Sequence, residues 1–297
     1  MASSPSPAAG NGDFLPLAGV RVLSLALNLP GPAALMRARA MGAHCTKVEP
    51  PAGDPMRLYN PAAYAALHEG VEIITLDLKT AAGLDRLHEM LAATHVLLSS
   101  FRPSALAKLR LDWPALKARH PGLSQVAIVG APGERAEEPG HDLTYLAESG
   151  LVTDCALPPT LYADMGGALL ASEAILKARL RAGASQAEGL YQEVALNAAA
   201  DWLALPRHWG LTQPGGSVGG AHAGYRVYPC ADGRVAVAAL EPHFSQRLCA
   251  AAGLASSRDM LAPDTREALG AWLSVRTREE IDRLAREHDL PLLTLAD

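Results

Sequence analysis

Residues 161–180, LYADMGGALLASEAILKARL, contain one carboxylate, Asp164, directly before a glycine pair and a long apolar stretch. Asp164 could cap the N-terminus of a helix, which typically contributes about 1 kcal/mol. It could also be a catalytic group. Gly166 and Gly167 each cost about 1 kcal/mol relative to alanine in a helix, so their presence indicates that something approaches this backbone closely. The free amides of a helix N-terminus could polarise a carbonyl group beside Asp164.

Two further segments contain titratable side chains at probable helix starts. In GHDLTYL, Asp142 is placed as an ordinary N-cap residue, and His141 precedes it. A lone histidine is usually structural or exposed, but its unperturbed pKa suits proton transfer near neutral pH. In ALEPHF, Glu241 follows a strand and precedes a proline and a helix, so it could also be a cap residue.

A basic segment at residues 101–110, FRPSALAKLR, could bind phosphates. It places Arg102, Lys108 and Arg110 beside Phe101, which could stack on a base. A solvated surface helix explains the same pattern. The loops lack the G-x-G-x-x-G spacing that a dinucleotide requires, which argues against a nicotinamide or flavin enzyme.

Alternating strand and helix patterns predict an α/β fold with a doubly wound parallel sheet. Strands are expected at 20–27, 45–50, 71–78, 95–101 and 124–130, with helical stretches between them. Open parallel sheets bind ligands at the carboxyl ends of their strands. The loops NLPGP, SSFRPS and VGAPGERAEEPGHD should therefore surround the site.

The domain organisation follows from changes in this pattern. Residues 1–13 are expected to be a disordered tail, residues 14–212 a large Rossmann-like domain, and the glycine-rich residues 213–224 a linker. Residues 225–297 should form a small α+β domain that begins with a hairpin around a D-G turn. Helices are expected over 165–182 and 190–209, and the segment up to residue 297 is expected to be helical.

Composition and charge limit the classes of function that this chain could have. The chain has 297 residues, 49% of them hydrophobic, and a net charge of −5, so no nucleic-acid or membrane-surface partner is expected. Cys45, Cys155, Cys230 and Cys249 form no C-x-x-C pair, which predicts neither a metal site nor a disulfide framework and favours the cytoplasm. No apolar run reaches the roughly 20 residues that span a bilayer.

Six blocks together resemble the family III CoA-transferase superfamily. They are PLAGVRVLSLALNLPGPAALMRARAMGAHCTKVEPPAGDP, LDLKTAAG, FRPSALAKL, PGHDLTYLAESGLV, ADMGGALLASEAILKARL and YRVYPCADGRVAVAALEPHF. The resemblance implies a Rossmann-like CoA-binding domain, a small domain and a homodimer of interlocked chains. It also implies an acyl-CoA substrate whose coenzyme A contacts Lys47, Phe101, Arg102 and Lys108, with no permanently bound cofactor.

The resemblance also assigns a catalytic role to Asp164, which matches the conserved aspartate of the superfamily. This group is a nucleophile in transferase members and an acid/base in racemase members. Gly140-His141-Asp142 and LEPHF resemble the α-methylacyl-CoA racemases, in which two groups exchange a proton on opposite faces of the substrate. Here these groups would be Asp164 and His141, with Glu241 paired to His141.

The transferase alternative remains open, as does a shortened homologue that binds CoA without turnover. Transferases of the formyl type commonly have tyrosine where this chain has His141, glutamine where it has Leu29, and a glycine-rich loop that is not found here. The chain departs from the superfamily at Ser104 and in AGASQAEGLYQ, and a C-terminal segment returning to the large domain is expected to be absent.

Overall fold

The computed structural model describes residues 14–183 and 188–296. The chain divides into two compact units, one up to Ala204 and one from Leu205. The expected disordered tail, residues 1–13, lies outside the described residues. We keep the division into residues 14–212, 213–224 and 225–297 as a proposal.

The first unit contains a six-stranded, fully parallel sheet in the order β3-β2-β1-β4-β5-β6. Its strands are β1 (Arg21–Ser24), β2 (His44–Glu49), β3 (Glu72–Thr75), β4 (Val96–Ser99), β5 (Ser124–Val129) and β6 (Tyr191–Ala195). This is the strand order of the Rossmann fold, so the predicted doubly wound α/β sheet is confirmed.

Nine α-helices among the described residues follow or separate these strands, and the last of them continues past Ala204. They are α1 (Pro30–Ala40), α2 (Met56–Tyr59), α3 (Pro61–Leu67), α4 (Ala81–Leu91), α5 (Pro103–Lys108), α6 (Trp113–Arg119), α7 (Asp142–Glu148), α8 (Tyr162–Gly183) and α9 (Leu196–His208). The helix predicted over 165–182 is therefore present as α8.

Both faces of the sheet are covered. Neighbouring residues of β1 point to opposite faces, so Val22 packs with α1 and α8, whereas Leu23 packs with α4, α5 and α6. The central strands β4 and β5 are buried along their whole length. Two-sided burial explains why these strands are nearly continuous apolar runs.

The prediction of a helix over residues 190–209 is wrong in its first part. Tyr191–Ala195 forms β6, which pairs in parallel with β5, and helix α9 begins only at Leu196. The segment YQEVA is short and partly polar, so its strand character depends on pairing with β5 more than on local pattern.

The second unit has a three-stranded antiparallel sheet, β7 (Tyr225–Cys230), β8 (Gly233–Ala238) and β9 (Leu292–Leu295), in that order. Its helices are α10 (Pro242–Ala251), α11 (Pro263–Ser274) and α12 (Arg278–His288). The predicted hairpin is confirmed as β7 and β8. The prediction that the final segment is helical is wrong for Leu292–Leu295, which pairs with β8. A two-stranded hairpin is marginal alone, and a third strand stabilises it.

No helix among the described residues is both long enough and apolar enough to cross a bilayer.

Candidate active site

A cavity of about 640 Å³ lies at the carboxyl edge of the large sheet. Its walls come from all three loops that the sequence analysis indicated, and from the starts of α7, α8 and α9. Among the lining residues are Asn28, Leu29, Phe101, Arg102, Gly140, His141, Asp142, Tyr145, Asp164 and Leu196. The strand order reverses between β1 and β4, the topological switch point at which open α/β sheets bind ligands.

Asp164 is not the N-cap residue of its helix. Helix α8 begins at Tyr162, and the Met165 amide already donates to the Leu161 carbonyl at 3.0 Å, which places Asp164 in the first turn. The amide of Asp164 donates to Oδ1 of Asp142 at 3.0 Å. Since capping comes from Asp142, the Asp164 carboxylate is left to line the cavity.

Asp142 joins the starts of two helices. The sequence analysis expected it to be the N-cap of its own helix, but α7 begins at Asp142 and His141 holds the N-cap position. The Thr144 hydroxyl accepts from the His141 amide at 3.1 Å and donates to the His141 carbonyl at 2.7 Å. The buried Asp142 carboxylate, 5% exposed, is therefore directed to α8 instead.

The surroundings of Asp164 favour its protonated form. The pKa of this carboxyl is raised from 3.8 to about 6, first by burial and next by the nearby Asp142 carboxylate, while His141 acts in the opposite direction. An acid whose pKa is close to neutral pH can both accept and return a proton. His141 is exposed on the wall of the same cavity, so the structure brings these two predicted residues together.

The glycine pair after Asp164 serves helix packing. A Cβ atom on Gly167 would collide with Cδ2 of Leu196, and one on Gly166 would lie 3.2 Å from Cδ1 of Leu203 and 3.3 Å from Cβ of Ala199. The close approach that the sequence predicted is therefore that of α9 against α8. It sets the position of the cavity wall, because Leu196 lines the cavity.

The predicted CoA contacts fall into two groups. Phe101 and Arg102 line the cavity, with Arg102 exposed, as expected for phosphate ligands at a strand end. Lys108 is exposed at the end of α5 but is not among the lining residues. Lys47 is fully buried, and its ammonium group contacts Asp54, Glu49 and His68.

Glu241 lies in the second unit, at the N-cap position of α10. Its side chain is exposed and makes no capping hydrogen bond, whereas its carbonyl accepts from the Ser245 amide at 2.9 Å. The expectation that Glu241 could be a cap residue is therefore confirmed for its position, although its carboxylate does not make the capping bond. The pairing of Glu241 with His141 stays a prediction.

Two carboxylate oxygens and one imidazole nitrogen in the large unit form an arrangement suited to a cation. Glu49, Asp54 and His68 each offer a ligand atom, all within 4.8 Å of one another. The Nζ atom of Lys47 lies among them, 2.5 Å from Asp54 and 3.2 Å from Glu49. An internal ammonium group thus takes the position that a metal ion would need.

Three further residues of the cavity wall were not predicted from the sequence: Asn28, Tyr59 and Tyr145. Burial raises the pKa of Tyr145, with a further contribution from Asp164, and a Cβ on Gly140 would collide with its ring. Burial, Asp54 and Asp164 raise the pKa of Tyr59. Asn28 has a left-handed backbone with φ of 64°, a conformation that asparagine tolerates better than most residues. The turn sequence NLPGP, which begins with Asn28, was the feature of the sequence that could have identified this residue.

The family model of CoA-transferase family III matches residues 17–297. The chain belongs to this family, and the resemblance of the six sequence blocks is confirmed.

Individual relatives include members with different activities. A cinnamoyl-CoA:phenyllactate CoA-transferase from Clostridium sporogenes is 34% identical over 166 residues, which is 50% of this chain but 40% of the relative. An alpha-methylacyl-CoA racemase from Mus musculus is 33% identical over 259 residues, 81% of this chain and 65% of the relative. The chain thus spans well under two thirds of the first relative's length.

A solved structure gives the same fold. Rv3272 from Mycobacterium tuberculosis superposes with a TM-score of 0.81 at 24% identity, covering 95% of this chain and 84% of that one.

Proposed function

We propose that this protein racemises a 2-methylacyl-CoA thioester by moving the proton on the carbon next to the thioester carbonyl. The proposal rests on the observation that His141 and Asp164 line the same cavity and that the pKa of Asp164 is raised to about 6. Inversion requires a base on one face and an acid on the other. These two residues can exchange the roles.

In one direction, the Asp164 carboxylate removes the α-proton, and the electron pair of the broken C–H bond delocalises into the thioester carbonyl as an enolate. The protonated imidazole of His141 then donates a proton to the opposite face of that carbon. Asp164 is left protonated and His141 neutral, which is the state that the reverse direction requires. One proton enters the substrate and one leaves it.

The enolate oxygen needs a hydrogen-bond donor. The amides at the start of α8 were predicted to fill this role, but the Asp164 amide donates to Asp142 and the Met165 amide donates to Leu161. We assign the role to the Tyr145 hydroxyl, which lines the cavity and whose raised pKa keeps it protonated. Tyr145→Phe should lower kcat more than it changes KM, because the bond strengthens only as charge develops.

The decisive experiment follows isotope entry into the substrate. A single enantiomer of a 2-methylacyl-CoA, incubated in deuterated water, should gain one deuterium at its α-carbon while it becomes racemic. Asp164→Asn and His141→Gln should abolish this exchange, whereas Glu173→Gln, an exposed carboxylate on α8 outside the cavity wall, should leave it intact. Absence of exchange at high enzyme concentration refutes the racemase proposal.

A second candidate is CoA transfer, and the partly exposed position of Asp164 on the cavity wall favours it. The Asp164 carboxylate would attack the thioester carbonyl and release CoA thiolate. The thiolate would then attack the aspartyl carbonyl of the resulting anhydride, release the donor as its carboxylate and leave an aspartyl-CoA thioester. An incoming carboxylate would attack this thioester, and the same two steps in reverse would transfer CoA to it and restore the Asp164 carboxylate. Hydroxylamine present during turnover should convert the aspartyl-CoA thioester to a hydroxamate at Asp164.

If neither activity occurs while CoA still raises the melting temperature, a CoA-binding role remains.

The same proposal includes the binding site for CoA and the oligomeric state of the protein. Arg102 should contact phosphate groups, so Arg102→Met should raise KM for a CoA thioester and leave a phosphate-free pantetheine thioester unaffected. On the basis of the family resemblance we also propose a homodimer, which light scattering of the purified chain tests. The cysteine pattern supports a cytoplasmic location, which fractionation of cells that express the protein tests.

A further inference from the structure

We propose that Lys47 is a positioning residue, which holds two segments of the cavity wall in place from beneath and makes no contact with the phosphates of CoA. The inference rests on the proposed function of the cavity as the thioester site. It replaces the role that the sequence analysis expected for this side chain.

The ammonium group of Lys47 is enclosed by internal partners. Its side chain is 0% exposed, and Nζ lies 2.5 Å from Oδ2 of Asp54, 3.2 Å from Oε1 of Glu49 and 2.8 Å from Nε2 of His68. An ammonium group has three protons to donate, and these three acceptors use them all. No proton of Lys47 remains for a ligand in the cavity.

The three acceptors are themselves held in place. Nδ1 of His68 lies 2.7 Å from the Tyr64 carbonyl, so it carries the proton and Nε2 is free to accept from Lys47. Burial lowers the pKa of His68, which keeps its ring neutral. The Tyr64 hydroxyl donates to Oε1 of Glu49 at 2.8 Å. The ammonium of Lys47 is therefore held by acceptors that have further partners of their own.

Asp54 connects this network to the cavity wall. Its Oδ1 accepts from the Met56 amide at 2.9 Å, and its Oδ2 accepts from the Asn28 amide at 3.1 Å. Asn28 and Met56 both line the cavity, and Tyr59 follows on the same short helix. Asn28 also has the strained left-handed backbone, which persists only where the surroundings hold it.

Lys47 is what allows Asp54 to remain a charged acceptor. A buried carboxylate without a counter-charge is strongly disfavoured, and removal of one partner of such a pair leaves the other uncompensated. Without the ammonium, Asp54 and Glu49 would repel each other. The Asn28 turn and the start of α2 would then lose their common anchor.

The test compares two substrates in Lys47→Met. If Lys47 positions the wall, kcat/KM should fall by about 10- to 100-fold for a CoA thioester and equally for a pantetheine thioester without phosphates. If Lys47 binds phosphate, the loss is confined to the CoA thioester, which overturns the inference. Lys177→Met, an exposed lysine on α8 paired with Glu173, is the matched control.

A second measurement needs no substrate and therefore separates this inference from the proposed function. Hydrogen exchange of the free protein should show faster exchange of the Asn28 and Met56 amides in Lys47→Met than in wild type. If Lys47→Met does not fold, Tyr64→Phe carries the test, since it removes only the hydrogen bond to Glu49. Unchanged exchange at both amides in the variant that folds overturns the inference, whether or not the wild type racemises a thioester.

Discussion

The pH dependence of turnover should respond to Asp142, although this residue does not react. The pKa of Asp164 is raised to about 6 first by burial and next by the Asp142 carboxylate. Below that pH, Asp164 is protonated and cannot act as a base, so the acid limb of kcat/KM should have its midpoint near pH 6. Asp142→Asn removes one negative charge and makes ionisation of Asp164 easier. The acid limb should therefore move to lower pH.

The size of this displacement follows from the charge removed. An interaction of about 1 kcal/mol between two carboxylates, the magnitude for unit charges about 4 Å apart in water, corresponds to about 0.7 pH unit. Burial remains in the variant, so the midpoint should stay above 3.8, the ordinary value of an aspartate. Asparagine keeps an oxygen that can accept from the Asp164 amide, so the start of α8 is preserved.

The assay is the initial rate of deuterium entry into a 2-methylacyl-CoA, measured from pH 4.5 to 9 at a substrate concentration well below KM. Glu173→Gln, which removes an exposed carboxylate from the same helix, should leave the limb in place. An acid limb that lies at the same pH in wild type and in Asp142→Asn would show that the titrating group is not Asp164.

Three other predictions concern stability and metal binding. Because the folded pKa of Asp164 is raised, its carboxylate destabilises the fold above pH 6. In urea titrations, Asp164→Asn should therefore raise the free energy of unfolding at pH 8 by up to about 3 kcal/mol and change it little at pH 4. The upper value is 1.36 kcal/mol multiplied by the difference between 3.8 and about 6. Gly167→Ala should lower the free energy of unfolding by about 1–3 kcal/mol, because its methyl group displaces Leu196. Gly166→Ala should leave the free energy of unfolding nearly unchanged, because the cost of its looser contacts is offset by the gain in helix propensity. Equal effects of the two substitutions would contradict the packing explanation. Lys47→Ala should bind Zn²⁺ through the three acceptors that the ammonium leaves, so that saturating Zn²⁺ raises the melting temperature of this variant by about 5 °C but not that of wild type.

Much of the large unit could be predicted because each element has a strong local signal. Apolar runs such as those of β4 and β5 are read as buried strands, and turns such as NLPGP mark their ends. The location of the site follows from the same signals, because parallel strands place their following loops at one edge. Strands β6 and β9 could not be predicted in this way. The segment YQEVA is partly polar and LLTL has only four residues, and both pair with a neighbouring strand, β5 or β8.

By itself, the sequence determined which residues are available for chemistry and at which edge of the sheet they lie, because residue type and the alternation of strands with helices are local properties. Only the tertiary structure decided what each of them touches. Asp142 caps the helix of Asp164, the glycine pair admits α9, and Lys47 lies beneath the cavity wall among Asp54, Glu49 and His68. The reason is physical: burial and charge at a side chain depend on neighbours that are distant in sequence, and these neighbours set both its pKa and its hydrogen-bond partners.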